Sequence, residues 1–90
     1  MPNYTKITSS TTTVVKTTPG LLRKVIVSGP GTTWTIQIFD NTAGSGTAIF
    51  GATAVTIPAA GTILTFDVNF NIGLTVVTSG TAGEITVTWE

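Results

Sequence analysis

The sequence predicts an all-β protein: a small two-sheet antiparallel β-sandwich of seven or eight strands, jelly-roll or immunoglobulin-like in its wiring, with no helix. Three observations carry that expectation. Thr, Val and Ile fill 39 of the 90 positions, and Thr alone fills 21. These β-branched side chains are stiff at χ1 and sit well on a pleated surface. Short alternating runs are separated by Gly, Pro, Asn and Ser clusters at regular spacing. No window repeats apolar residues at i, i+3, i+4 and i+7, and the Gly and Thr density opposes a helix.

The first run, 10–17, contains Val14, Val15 and Lys16 and stops at Pro19-Gly20, where the missing donor and the free φ make a turn. The second, 21–28, places Leu22, Lys24 and Ile26 on one face and Leu21, Arg23, Val25 and Val27 on the other. Strict alternation therefore gives each face one cation and leaves the buried face open. Gly29-Pro30-Gly31 turns the chain. In 33–40, Trp34, Ile36 and Ile38 alternate with Thr33, Thr35, Gln37 and Phe39, one apolar face and one mostly of Thr and Gln, the pattern of a half-buried strand. Residues 41–47 form a loop. Two short runs, 48–50 and 53–57, flank Gly51, a candidate bulge or break. After the turn at 58–61, Leu64, Phe66, Val68 and Phe70 make a core stripe. Asn71-Ile72-Gly73 interrupts, 74–78 is a strand, 79–83 a turn, and the final strand, 84–89, points Ile85, Val87 and Trp89 inward. Two similar strand–Gly turn–strand segments, 27–39 and 77–89, read as repeated hairpin grammar rather than a solenoid.

Composition removes whole classes of chemistry. The chain has no His and no Cys, which excludes a zinc finger, an iron–sulfur site, a disulfide, a Cys nucleophile and a Ser-His-Asp triad within it. Four basic and four acidic residues cancel, which argues against nucleic acid as a partner. No apolar run of about eighteen residues spans a membrane, and no signal-peptide pattern opens the chain, so synthesis is expected in the cytoplasm. Residues 1–11 read as a polar N-terminal arm and 12–90 as a single β-sandwich domain. Only 9% of residues are charged, against roughly 25% in an average domain. Few charges are left to blunt sheet edges, which points to edges covered in an assembly, likewise expected for a domain of zero net charge.

No candidate active centre emerges. Asp40, Asp67, Glu84 and Glu90 fall into no pairing motif of the kind a glycosidase needs. The 40–47 loop offers oxygen ligands, but without the several carboxylates of a tight calcium site; a turn bonded to its own Asp and Asn is the simpler reading. Gly29-Pro30-Gly31 and Gly44-Ser45-Gly46 lack the Lys-Ser/Thr and helix of a phosphate cradle. Trp34 and Trp89 lie on the apolar phase of their strands, hence in the core. No catalytic residue, metal or cofactor is expected.

Lys16 with Pro19-Gly20, the basic pair Arg23-Lys24, the Ile36-Gln37-Ile38-Phe39-Asp40 strand, the small-residue loop 41–47, and Phe70-Asn71-Ile72-Gly73-Leu74 with Val76 together resemble a family of small virion structural proteins of tailed phages and prophages. The resemblance covers roughly residues 12 to 89; the final Thr-Trp-Glu has no place in the pattern. Some members of that family look like capsid decoration (cement) proteins. What it implies here is a protein on the capsid surface of a virion, bound to the major capsid protein, without nucleic acid or membrane contact. It also implies a homo-oligomer, a trimer, clamping neighbouring capsomers. The residues expected at the interface are Tyr4, Lys6 and Ile7 on the arm, Arg23 and Lys24, and Asn41 and Thr42. Deleting residues 1–11 is then expected to abolish particle binding and leave the fold intact. A second reading is a tail, baseplate or head-fibre module that binds a host-surface receptor through the 41–47 loop. A third, an enzyme such as a depolymerase, is opposed by the missing His and Cys.

Overall fold

The computed structural model describes residues 3–90; Met1 and Pro2 of the expected arm lie outside the described residues. Eight strands follow in order: β1 (Asn3–Ile7), β2 (Thr12–Lys16), β3 (Gly20–Gly29), β4 (Thr32–Asp40), β5 (Thr47–Thr56), β6 (Ile63–Phe70), β7 (Leu74–Thr81) and β8 (Glu84–Trp89). They form two four-stranded sheets, β1-β8-β3-β6 and β2-β7-β4-β5, with every pairing antiparallel. The pairings are nested: β4 with β5, β3 with β6, β2 with β7 and β1 with β8. A long hairpin folded at β4–β5 and rolled up until β8 meets β3 and β7 meets β4 has this order, which is that of a jelly roll. The sandwich expected from the sequence is thus found, and of the two wirings left open the structure has the jelly-roll one.

The core lies between the sheets. One sheet contributes Ile7, Leu22, Val25, Val27, Phe70, Ile85 and Val87, and the other Trp34, Ile36, Ile38, Leu74 and Val76. Phe50 and Phe66 close one side edge to face, ring centroids 5.3 Å apart. The indole N–H of Trp34 finds no acceptor among the described residues.

Four details differ from the sequence expectation. In β3, Arg23 is an extra residue between the pairs Leu22↔Trp89 and Lys24↔Thr88. This bulge reverses the phase, so Leu22 points inward together with Val25 and Val27. Neither face of β3 has to bury a cation. The expected arm is largely part of the fold: Asn3–Ile7 pairs residue for residue with β8, and Ile7 is 3% exposed within the core. On the stripe of β6, Val68 remains 40% exposed because β6 is an edge strand, only half roofed by the opposite sheet. Finally, β7 runs on to Thr81, through residues expected to turn.

Edges are blunted without charge. β2 carries a register shift at 14–16 and β5 one around Gly51. On β6, Phe66 and Asp67 together face the single residue Arg23, and Asp67 takes a φ of 52°. Irregular edges resist further pairing, which weakens the inference that low charge alone demands a cover. Of the four edges, β1 is the regular one, with five consecutive pairs and no shift.

Candidate functional site

Most charged groups are consumed internally. Arg23, set out by its bulge, bridges the strands on either side: its Nε lies 3.0 Å from Asp67 Oδ1 and its Nη1 2.8 Å from Glu90 Oε2. Lys6 Nζ sits 2.7 Å from Glu84 Oε1 across the β1–β8 pair. That hydrogen bond, with the charge of Glu84, holds the ammonium pKa above its ordinary value. Lys16 reaches over the end of the sandwich, 5.9 Å from the Phe70 ring centre and 5.7 Å from that of Trp89, and donates to the Glu90 carbonyl at 3.2 Å. Gly20 makes this approach possible: a Cβ there would lie 2.2 Å from the Glu90 oxygen and 2.8 Å from both Lys16 Nζ and Phe70 Cζ. An open depression of about 520 Å³ adjoins this end, lined by Lys16, Pro19, Gly20, Asn69, Asn71 and Glu90. Lys24 makes no ion pair among the described residues.

The acidic residue of the 40–47 loop has a structural task. Asp40 accepts the backbone N–H of Asn71 at 3.0 and 2.9 Å on its two oxygens, of Ile72 at 2.8 Å and of Gly73 at 3.4 Å. The Asn71 bond, then those from Ile72 and Gly73, hold its carboxyl below the usual carboxylate range against partial desolvation. Asn41 ties its own loop: Nδ2 donates to the Ser45 carbonyl at 2.8 Å and Oδ1 accepts the Thr42 N–H at 2.8 Å. The Asn41 carbonyl in turn accepts the hydroxyl of buried Thr75 at 2.7 Å. Gly44 presses against Val77, where a Cβ would meet a methyl at 2.8 Å. The loop expected to recognise a receptor is therefore laid down on the molecule's own sheet.

The expected interface residues do not form one patch. Ile7 is in the core, which corrects its assignment to a contact arm. Arg23 is tied to Asp67 and Glu90, and Asn41 to its own turn. Thr42 is exposed on the other sheet's loop. Tyr4, Lys6 and Lys24 do share a surface, the outer face of the sheet β1-β8-β3-β6. The register places Tyr4, Thr88, Lys24 and Thr65 in one row and Lys6, Thr86, Ile26 and Ile63 in the next. Tyr4 is 69% and Ile63 54% exposed. A shallow groove of about 260 Å³ runs between Arg23, Lys24, Ile26 and Thr88. This face is rich in Thr, and among the described residues its Lys24 makes no ion pair. Ile26 shares the Lys24 face by alternation along β3, whereas Ile63 reaches it only through the pairing of β6 with β3, which the sequence pattern does not contain.

Among the described residues no group of three or more Asp or Glu is placed to hold a metal ion, and no helix is long and apolar enough to cross a membrane. Comparison with protein-family models, with curated proteins and with solved structures found no match for this chain.

Proposed function

We propose that this protein is a phage capsid decoration protein, which binds the outer head shell and stabilises contacts between neighbouring capsomers. The observation that carries the proposal is the outer face of the β1-β8-β3-β6 sheet. It offers a pleated surface of Thr, Ile and Tyr with the Lys24 ammonium, which makes no ion pair among the described residues. Such a surface suits a second protein surface better than a small ligand, which calls for a concave, enclosing pocket. The sequence resemblance to small virion structural proteins points the same way. The mechanism is passive: each copy removes apolar area from water across a capsomer boundary, and many copies add their small contributions over one shell.

The test is co-sedimentation of the purified protein with shells of the encoding phage that lack it. Saturable binding is expected, lost in Ile63→Asp and Lys24→Glu, both on the exposed face. Absence of binding to shells, with binding to intact host cells instead, would replace this proposal by the receptor-binding module.

A further inference from the structure

The directions of the backbone groups on β1 follow from bonds elsewhere in its sheet. Leu21 and Glu90 exchange both of their bonds, N–H to O at 2.9 and 2.8 Å, so the polar groups of Glu90 face β3. Val27 turns its own groups the other way, donating to Thr62 O and accepting from Gly61 N–H. Backbone groups alternate along a strand. Hence Ile85, Val87 and Trp89 face β1, and bond Ile7, Thr5 and Asn3, their partners in the register. The N–H and C=O groups of Tyr4 and Lys6 must then point away from the sheet, along its free edge.

We propose that this edge pairs antiparallel with β1 of a second copy, about a twofold axis at Thr5. This inference does not rest on the proposed function. Three features favour that occupant and that register. β1 is the edge strand without a register shift, so its ladder can be continued flat. Centring on Thr5 sets Tyr4 opposite the partner's Lys6 twice and so uses all four outward groups of each strand. Centring on Lys6 would oppose two ammonium groups, and centring on Tyr4 would set Lys6 opposite Pro2, whose nitrogen carries no donor. Finally, Tyr4, 69% exposed, gains the aliphatic stem and charge of the facing lysine on the same face of the sheet. The contact is isologous and closes on itself, giving one continuous eight-stranded sheet across two molecules. A single short strand pair is a small interface, so dimerisation is concentration-dependent.

The experiment is sedimentation equilibrium over a wide concentration range, with three variants of the full chain. Tyr4→Lys places like charges opposite each other twice and should weaken dimerisation by about tenfold or more. Tyr4→Glu places opposite charges across the pair twice and should retain the dimer. Thr5→Cys introduces the sole cysteine of the chain at the twofold position, where facing Cα atoms of a non-hydrogen-bonded pair lie about 4.5 Å apart, within disulfide range. It should form a covalent dimer under mild oxidation, whereas Thr65→Cys on β6 should not. A monomer at every concentration, a trimer, a dimer indifferent to Tyr4→Lys, or cross-linking through residue 65 instead of residue 5 would each overturn the proposal.

Discussion

Removing the Asp40 carboxylate should loosen the fold at a turn far from Asp40 along the chain. The carboxylate joins the end of β4 to the 71–73 turn by accepting three backbone N–H groups, two at 3.0 Å or less and one at 3.4 Å. A fully buried charge-assisted bond contributes about 1.5–3 kcal/mol. This group is partly exposed, so solvent screens it, and a helix N-cap is the better guide, at about 1 kcal/mol. Two good bonds and one weak one then give about 1–2 kcal/mol for Asp40→Ala. In a domain of this size that lowers Tm by about 4–16 °C. Asp40→Asn keeps one acceptor oxygen but turns an amide N–H₂ toward the donors, so it should recover only part of the loss. The sign with pH is definite. The carboxyl pKa is lower in the folded than in the unfolded protein, so its contribution is complete above the unfolded value. It is lost as pH falls through the folded value. Urea unfolding followed by tryptophan fluorescence should show the wild-type–variant gap at neutral pH, closing as the pH falls below the ordinary carboxylate range. A gap that is absent at neutral pH, or that persists unchanged in acid, would refute the assignment of the stabilisation to the charged carboxylate.

Ile7→Ala should cost about 2–4 kcal/mol in chemical denaturation, because β1 is part of the sandwich and Ile7 fills its core; an arm would show nothing. Gly20→Ala should destabilise by about 1–3 kcal/mol, since its methyl collides with the Glu90 carbonyl oxygen; a change below about 0.5 kcal/mol would mean that the β3–β8 end yields freely. Trp34→Phe should cost much less than the ~3–5 kcal/mol of Trp34→Ala, because it removes a buried N–H that has no acceptor among the described residues together with part of the ring. The Lys6 ammonium titration, followed by NMR, should move down in Glu84→Gln. Any stability from this exposed pair is complete below the unfolded Lys pKa and vanishes as pH rises through the raised folded value. An unmoved titration would mean that the pair does not persist in solution.

The alternation in β4 and β8 was legible because β8, and β4 beyond its irregularity at Thr33, turn their apolar set to the core: Trp34, Ile36, Ile38 and Ile85, Val87 lie where the pattern puts them. β3 was legible as a strand but not in phase. Its bulge at Arg23 depends on what β8 and β6 place opposite it, which local periodicity does not contain. β1 escaped notice because five residues with one buried apolar side chain carry no pattern of their own; their place comes from β8. Asp40 looked like a loop acid because its partners lie 31 to 33 residues along the chain. The surface shared by Tyr4, Lys24, Ile26 and Ile63 is likewise a product of strand order, which pattern cannot supply.

The nested pairing also sets a timetable. The β4–β5 hairpin can close locally, but each outer pair must wait for a larger loop, and the Lys6–Glu84 contact spans 78 residues. Closing a flexible loop of that length costs about 4 kcal/mol of chain entropy, set by the logarithm of its length. Folding dominated by such distant pairs is slow. On a translating ribosome β1 emerges before the other seven strands and finds its partner last, so this strand is a late sentinel of completion. An edge that is well formed only after β8 has docked is presented only by molecules whose folding has finished, and whatever binds there is offered finished copies alone.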